Sequence, residues 1–162
     1  MQPVDLDLIS HSPAQTVQIG VQLGRLLASG DVLCLSGELG AGKTALASGI
    51  GKGWGALEPV NSPTFVFVHE HQRRRDDLRL YHLDCYRLSN LDEAATIGIE
   101  DMLASANIIM IEWPERILPL LPPAQLWISL ETAESAHDAM ARRLNFRASG
   151  PRYESLLKAL HG

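Results

Sequence analysis

The sequence contains few of the features that disulfide-stabilised or membrane-spanning proteins need. Only two cysteines occur in 162 residues, Cys34 and Cys85, and neither belongs to a C-x-x-C pair. This spacing excludes a disulfide scaffold and favours buried, reduced thiols of the cytosolic kind. No apolar run approaches the ~20 residues of a membrane helix, and residues 1–5 lack the basic and apolar regions of a signal peptide. We therefore expect a cytoplasmic protein without a membrane anchor.

Positively charged residues are also fewer than negatively charged ones. The chain has 14 Lys and Arg against 19 Asp and Glu, a net charge of −5, which argues against broad electrostatic binding of nucleic acid by this chain alone. Hydrophobic residues make up 46% of the sequence, and no internal repeat divides it. The length and composition predict one domain, residues 1–162, with a sizeable buried core.

The most informative segment is 37–44, which reads GELGAGKT and completes the pattern G-x-x-x-x-G-K-T. It follows an apolar run at 32–35 and precedes a helical stretch, a context that argues against an ordinary glycine-rich turn. In such a loop, backbone N–H groups surround phosphate, Lys43 reaches the β- and γ-phosphates, and the Thr44 hydroxyl ligates Mg²⁺. The residues predicted to bind a nucleoside triphosphate are Gly37, Glu38, Leu39, Gly40, Ala41, Gly42, Lys43, Thr44 and Ala45.

Two carboxylates are candidates for the metal and the hydrolytic water. Glu112 directly follows the apolar strand predicted at 108–111, and ligands of open α/β sheets gather at the carboxyl ends of strands. It either binds Mg²⁺ or orients the attacking water; the alternative is a surface carboxylate that ends a strand. Asp84 shares a strand face with His82 and Tyr86, and it either joins the magnesium shell or pairs with Arg87 or an exposed group nearby.

Three further segments have local interpretations. Residues 61–65, N-S-P-T-F, form either a loop that senses the γ-phosphate or a simple turn. His69 and His71 share a strand face but lack an evident third metal ligand, so we interpret them as solvated hairpin residues. The run 73–75, R-R-R, precedes two aspartates and is interpreted as a solvated turn.

Periodicity and turn signals predict an α/β fold, a three-layer P-loop NTPase-like domain with an inserted antiparallel β-hairpin. A first helix begins after Ser12 with Pro13 at its first position. The hairpin is predicted from 65–68 and 78–86, since strands so close in sequence must be antiparallel. The other predicted strands and helices are 4–9, 32–35, 43–53, 91–104 (interrupted near Gly98), 108–111, 126–130, 144–147 and 153–160.

The segments GELGAGKT, SPTF, YHLDCYRL and IIMIEWPER, in this order, closely resemble the TsaE family, also called YjeE. The likeness runs from about residue 31 to residue 116. It implies an ATPase of bacterial tRNA threonylcarbamoyladenosine formation at adenosine 37, which uses ATP and Mg²⁺ and has low intrinsic activity. The implied partners are homologues of TsaD and TsaB, with tRNA contacted only through that complex, and hydrolysis supports turnover of the complex.

The resemblance also implies roles for individual residues. Lys43, Asp84 and Glu112 are implied to be catalytic, and Thr44, Asp84 and Glu112 to bind the metal. Trp113 matches a tryptophan beside the nucleotide, and the segment 62–65 matches a switch-like loop.

Three other functions share parts of this pattern. A small-molecule kinase of the P-loop class needs an arginine-bearing lid over the phosphates, which the arginines at 73–75 can imitate. A GTP-binding switch typically carries an N-K-x-D segment, which this sequence lacks. A nucleotide-binding scaffold needs no hydrolytic residues at all.

Overall fold

The computed structural model describes residues 4–61, 68–133 and 138–162. Its strands are β1 (Val4–Ser10), β2 (Val32–Ser36), β3 (Val68–Gln72), β4 (Arg79–Asp84), β5 (Ile108–Glu112), β6 (Gln125–Thr132) and β7 (Arg142–Ser149). Its helices are α1 (Pro13–Arg25), α2 (Lys43–Trp54), α3 (Leu91–Thr96), α4 (Ile99–Ala104) and α5 (Pro151–His161), with a 3₁₀ segment at Pro114–Leu120. Among the described residues, no helix combines the length and apolar character that a membrane crossing requires.

The strands form one mixed sheet in the order β1-β7-β6-β2-β5-β4-β3. The central strand β2 is parallel to both of its neighbours, β5 and β6, and β4 is parallel to β5. Antiparallel strands complete both edges. The strands β2, β4 and β5 therefore all end at the same edge of the sheet, which is where an open α/β sheet binds its ligands.

Both faces of the sheet are buried. One hydrophobic cluster lies between the sheet and α1, α2 and α5, and includes Leu33, Leu46 and Phe146. A second cluster covers the other face with α3, α4 and the 3₁₀ segment, and includes Cys34 and Ile109. Successive residues of β2 alternate between the two clusters, which explains why this strand is apolar throughout.

Most predicted elements are confirmed. Ser12 accepts a hydrogen bond from the backbone N–H of Gln15 and caps α1, as expected. The helix predicted at 91–104 is indeed interrupted, because Gly98 lies in the left-handed region with φ +80° between α3 and α4. β3 and β4 pair antiparallel, as predicted, although most of the strand predicted at 65–68 falls outside the described residues.

The helices α1 and α2 touch through their backbones. At four glycines on their contact surface, a Cβ atom would overlap a backbone atom of the other helix: Gly20, Gly24, Gly49 and Gly53. Glycine inside a helix weakens it by about 1 kcal/mol relative to alanine, and close packing against a second helix is the physical reason for it here. This packing fixes α2, and with it the loop that precedes α2.

Replacing Gly49 with alanine is expected to destabilise the fold. The new methyl group would overlap the carbonyl oxygen of Val17, and overpacking of this kind costs about 1–3 kcal/mol or more. Urea denaturation measures the loss of unfolding free energy. Ser48→Ala, at the adjacent and partly exposed position of α2, is the control and should shift stability by less than about 0.5 kcal/mol. Equal stability of the two variants would contradict the close packing.

Candidate nucleotide-binding site

The phosphate loop, residues 37–44, connects the carboxyl end of β2 to the first turn of α2. Its shape requires glycine, because Gly42 has φ +106° and a Cβ on Gly37 would lie 2.5 Å from the carbonyl oxygen of Leu130. The loop residues 38–40 are exposed, Ala41 is buried, and Ala45 is partly buried in the first turn of α2. The N–H groups at the start of this helix therefore border the loop, as an anion site needs.

Lys43 points back into the loop and is only 6% exposed. Its ammonium donates a hydrogen bond to the carbonyl oxygen of Gly37 and lies 3.8 Å from the centroid of the Trp113 ring. Burial lowers the pKa of Lys43, and this effect is opposed by the negative charges of Glu112, Glu115 and others. The loop therefore holds a cation among carboxylates at the point where phosphate oxygens would enter.

Glu112 is the last residue of β5 and is 3% exposed, so the alternative of a surface carboxylate is wrong. The sheet register places it beside Leu35 of β2 on one side and Asp84 of β4 on the other. Its Oε2 accepts a hydrogen bond of 2.6 Å from the Nε2 atom of His82. Two adjacent parallel strands thus bring both predicted carboxylates to the strand edge beside the phosphate loop.

Asp84 is partly buried, and its Oδ1 accepts a hydrogen bond of 3.0 Å from the backbone N–H of Tyr86. Burial raises the pKa of Asp84, and the nearby charge of Glu112 raises it further. No ion pair within the described part of the chain joins it to Arg87. A cation between these two carboxylates would relieve their mutual repulsion.

Trp113 follows Glu112 in the left-handed region with φ +57°, the only residue other than glycine with positive φ within the described ranges. Its backbone N–H donates to the carbonyl oxygen of Leu35 at 3.3 Å. Its indole ring packs against the ring of Tyr86, with centroids 4.9 Å apart. A non-glycine residue in this region stores backbone strain, which clusters at functional sites. The strained turn places the indole over the ammonium of Lys43.

These residues fit Mg²⁺ and a triphosphate. Hydroxyl and carboxylate oxygens are the ligands that Mg²⁺ prefers, and Thr44, Asp84 and Glu112 supply them around one edge of the sheet. Glycines with positive φ and the start of α2 form an anion cradle beside them. The chemistry of the donor set therefore matches the predicted cofactors.

Two interpretations from the sequence are each wrong for one residue, whereas Arg74 and Arg75 are exposed as expected and His69 is partly exposed. His71 is 8% exposed rather than solvated, because it lies on the β3 face that turns toward α2. Arg73 is 6% exposed, donates to the Asp76 carboxylate and the Trp54 carbonyl, and lies 4.7 Å from the centroid of the Trp54 ring. Sequence polarity alone does not reveal that an arginine guanidinium can stack on a buried indole.

His82 was expected on the strand face of Asp84, but its bond to Glu112 was not predicted. The spacing of two in H-x-D was the available signal, whereas the adjacency of β4 and β5 is a tertiary fact. Nor was Arg142 predicted, whose guanidinium lies 3.5 Å from the carbonyl oxygen of Gly40 at the tip of the loop. The predicted switch segment, 62–65, lies outside the described residues.

Comparisons with known proteins agree on one family. The family model described as "Threonylcarbamoyl adenosine biosynthesis protein TsaE" matches residues 10–143. The chain is similar to the tRNA threonylcarbamoyladenosine biosynthesis protein TsaE of Treponema pallidum, with 38% identity over 75% of this chain and 88% of that protein. It is likewise similar to TsaE of Bacillus subtilis, with 35% identity over 92% of this chain and 89% of that protein.

A solved structure shares the fold. The crystal structure of Bacillus subtilis YdiB matches with a TM-score of 0.80 and 28% identity, over 99% of this chain and 97% of that one.

Proposed function

Because this chain belongs to the TsaE family, we propose that it is a Mg²⁺-dependent P-loop ATPase that supports formation of N6-threonylcarbamoyladenosine at adenosine 37 of tRNA. In this proposal the hydrolysis of ATP drives turnover of a complex of TsaD and TsaB homologues. The chain carries out no carbamoyl transfer itself. Its fold is a P-loop NTPase-like domain in which the β3–β4 hairpin is an insertion.

One observation carries the proposal. Lys43 of the phosphate loop and the carboxylates of Asp84 and Glu112 meet at the carboxyl ends of three adjacent parallel strands. A phosphate loop alone supports binding of a nucleotide. The two buried or partly buried carboxylates beside it add the means to position a divalent cation and the attacking water.

Each group at the site has a separate role in the proposed hydrolysis. The N–H groups at the start of α2 donate to phosphate oxygens, and Lys43 exchanges the Gly37 carbonyl and the Trp113 ring for the β- and γ-phosphates. Thr44, Asp84 and Glu112 would hold Mg²⁺, which neutralises charge on the transferring phosphoryl group. A carboxylate not engaged by the cation orients water in line with the bond that breaks. Burial of Glu112 and Lys43 strengthens these electrostatic interactions.

The remaining proposals concern partners and location. The net charge of −5 supports contact with tRNA through the TsaD–TsaB complex rather than directly, since Lys and Arg contacts to phosphate dominate nucleic-acid affinity. We place the protein in the cytoplasm with that complex. The segment 62–65 connects the region after α2 to β3 and is proposed to pass the state of the γ-phosphate to the partner.

A small-molecule kinase is not favoured by the geometry. Its lid would need an arginine near the phosphate loop. The arginine run starts at Arg73, which is bonded to Asp76 and packed on Trp54 at the C-terminal end of α2, whereas the phosphate loop precedes the N-terminal end of that helix. Movement of the Arg73 side chain toward bound phosphates would break its buried contact with Trp54.

The test compares partner binding and tRNA turnover with ATP, with ADP and without nucleotide, using purified TsaD–TsaB. We expect nucleotide-dependent association and multiple turnover only when this chain and ATP are both present. Association that ignores nucleotide, together with full multiple turnover when the chain is omitted, would overturn the proposal. GTP in place of ATP, and a search for a phosphorylated small molecule, distinguish the switch and kinase alternatives.

Fluorescence of Trp113 is expected to report nucleotide binding. Its ring lies 3.8 Å from the Lys43 ammonium, and a ligand phosphate that draws this cation away changes the environment of the indole. Trp54 and Trp127 supply a constant background, so the comparison uses a Trp113→Phe variant. A nucleotide-dependent signal that persists in this variant would place the reporter elsewhere.

A further inference from the structure

His82 lies within β4, which is paired with β3 on one side and β5 on the other. The side chain of His82 has no exposed surface. It points to the face covered by α2, as do Leu80 and Asp84 of the same strand. Its Nε2 atom lies 2.6 Å from Oε2 of Glu112 on the adjacent strand. A buried imidazole and a buried carboxylate are therefore in direct contact behind the nucleotide site.

The chemistry of the pair assigns the donor. A carboxylate can only accept hydrogen bonds, so the proton of this bond resides on Nε2 of His82. In the neutral imidazole Nδ1 is then unprotonated, and Nδ1 is indeed a buried atom with no hydrogen-bond partner among the described residues. The other tautomer would leave an N–H group at Nδ1 without an acceptor in the apolar interior, at a cost of about 1–3 kcal/mol.

The hydrogen bond from His82 restricts the orientation of the Glu112 side chain, which the proposed function requires to be restricted. Glutamate has three side-chain torsions, and a hydrogen bond from a ring on the next strand to one carboxylate oxygen restricts them, which narrows the directions available to the second oxygen. Carboxylates that ligate metals are themselves held by hydrogen bonds in this way. The backbone of β5 alone fixes only the Cα–Cβ direction.

We propose that His82 is the positioning residue of this site, which orients the Glu112 carboxylate toward the bound Mg²⁺ through the Nε2–H···Oε2 hydrogen bond. His82 itself touches neither nucleotide nor metal. The inference rests on the proposed function, because it names the residue that aims one of the proposed metal ligands.

The neighbouring buried histidine offers a matched control. His71 lies on the adjacent strand β3, faces the same cluster and is 8% exposed. Its Nε2 atom has no hydrogen-bond partner among the described residues, and it has no bond to Glu112. Replacement of either histidine with leucine removes a buried imidazole, but only the replacement of His82 releases the carboxylate.

The experiment measures the affinity of the full chain for a non-hydrolysable ATP analogue by calorimetry, with Mg²⁺ and with a chelator. In His82→Leu we expect the gain in affinity that Mg²⁺ provides to fall about 10- to 100-fold, while affinity without Mg²⁺ is unchanged. His71→Leu should keep the wild-type gain. His82→Gln, whose amide N–H can reach the position of Nε2–H, should restore most of the loss.

The outcomes separate the two proposals. A wild-type protein whose affinity for the analogue ignores Mg²⁺ overturns the proposed Mg²⁺-dependent function, and the role of His82 with it. A Mg²⁺-dependent wild type with an equal gain in His82→Leu and His71→Leu overturns only the role of His82.

A second measurement needs no leucine variant and applies even if that variant does not fold. Nitrogen-15 NMR of the histidine side chains of the wild-type chain, assigned with His82→Gln, reports the tautomer of His82. We expect the Nε2–H form, and a shift of its signal when Mg²⁺ is added to the protein with the bound analogue. An Nδ1–H tautomer could not donate to Glu112 and would overturn the proposal.

Discussion

Replacement of Lys43 with alanine is expected to weaken ATP binding about ten- to a hundredfold. The ammonium is 6% exposed and already lies inside the phosphate loop, so it meets the phosphates with little reorganisation. A charge-assisted hydrogen bond of this kind contributes about 1.5–3 kcal/mol, and about 1.4 kcal/mol corresponds to a factor of ten in affinity. Calorimetric titration of ATP in the presence of Mg²⁺ measures the change.

Lys52 provides the matched control for this prediction. It belongs to the same helix α2 but is exposed and lies in the last turn, away from the phosphate loop. Lys52→Ala removes the same charge from the chain and should leave the affinity for ATP within about twofold. If folded Lys43→Ala binds ATP as tightly as Lys52→Ala does, the phosphate loop is not the nucleotide site.

Replacement of Glu112 with glutamine is expected to slow ATP hydrolysis about 10- to 100-fold while leaving the affinity for ATP without Mg²⁺ nearly unchanged. The substitution keeps the size of the side chain and an oxygen that can accept from His82, so the fold should survive. It removes the charge that positions the cation and water, so the loss appears in the rate and in the part of the affinity that depends on Mg²⁺. Asp84→Asn should act in the same direction, since Asp84 lies beside Glu112 in the register of β4 and β5.

The rate is measured in the presence of TsaD and TsaB homologues, because low activity of the isolated chain would hide the effect. Glu115→Gln is the control, since Glu115 is exposed and adds to the negative potential at Lys43 without lying at the end of β5. It should hydrolyse ATP at close to the wild-type rate. Normal rates in both Glu112→Gln and Asp84→Asn would remove the hydrolytic role assigned to these carboxylates.

Local sequence patterns were sufficient where one segment contains all of its own determinants. The phosphate loop, 37–44, was predicted because the glycines, Lys43 and Thr44 act within one strand–loop–helix unit. The cap at Ser12 and the break at Gly98 are equally local. The run 108–111 predicted a strand buried on both faces because every side chain in it is apolar.

Features that depend on more than one segment were only partly predictable from the sequence. Asp84 and Glu112 were each predicted at strand ends, but the choice between a metal shell and a pair with Arg87 depended on which strands are neighbours. The parallel pairing of β4 with β5 places Asp84 beside Glu112. Sheet order depends on contacts between residues far apart in sequence, which a single sequence does not encode locally.

Some features were decided by the tertiary structure alone. His71 and Arg73 are polar and were interpreted as solvated, yet both are buried. His71 lies opposite Leu80 of the cluster that α2 joins, and Arg73 packs on Trp54 at the end of α2. Gly49 weakens α2 by propensity, and only the approach of α1 explains it. By itself the sequence determined the strand–loop–helix unit around 37–44 and the ends of the neighbouring strands, since those depend on short-range spacing. The structure determined that His82 bonds Glu112 and that Trp113 lies over Lys43, since these contacts exist only once separate strands are packed side by side.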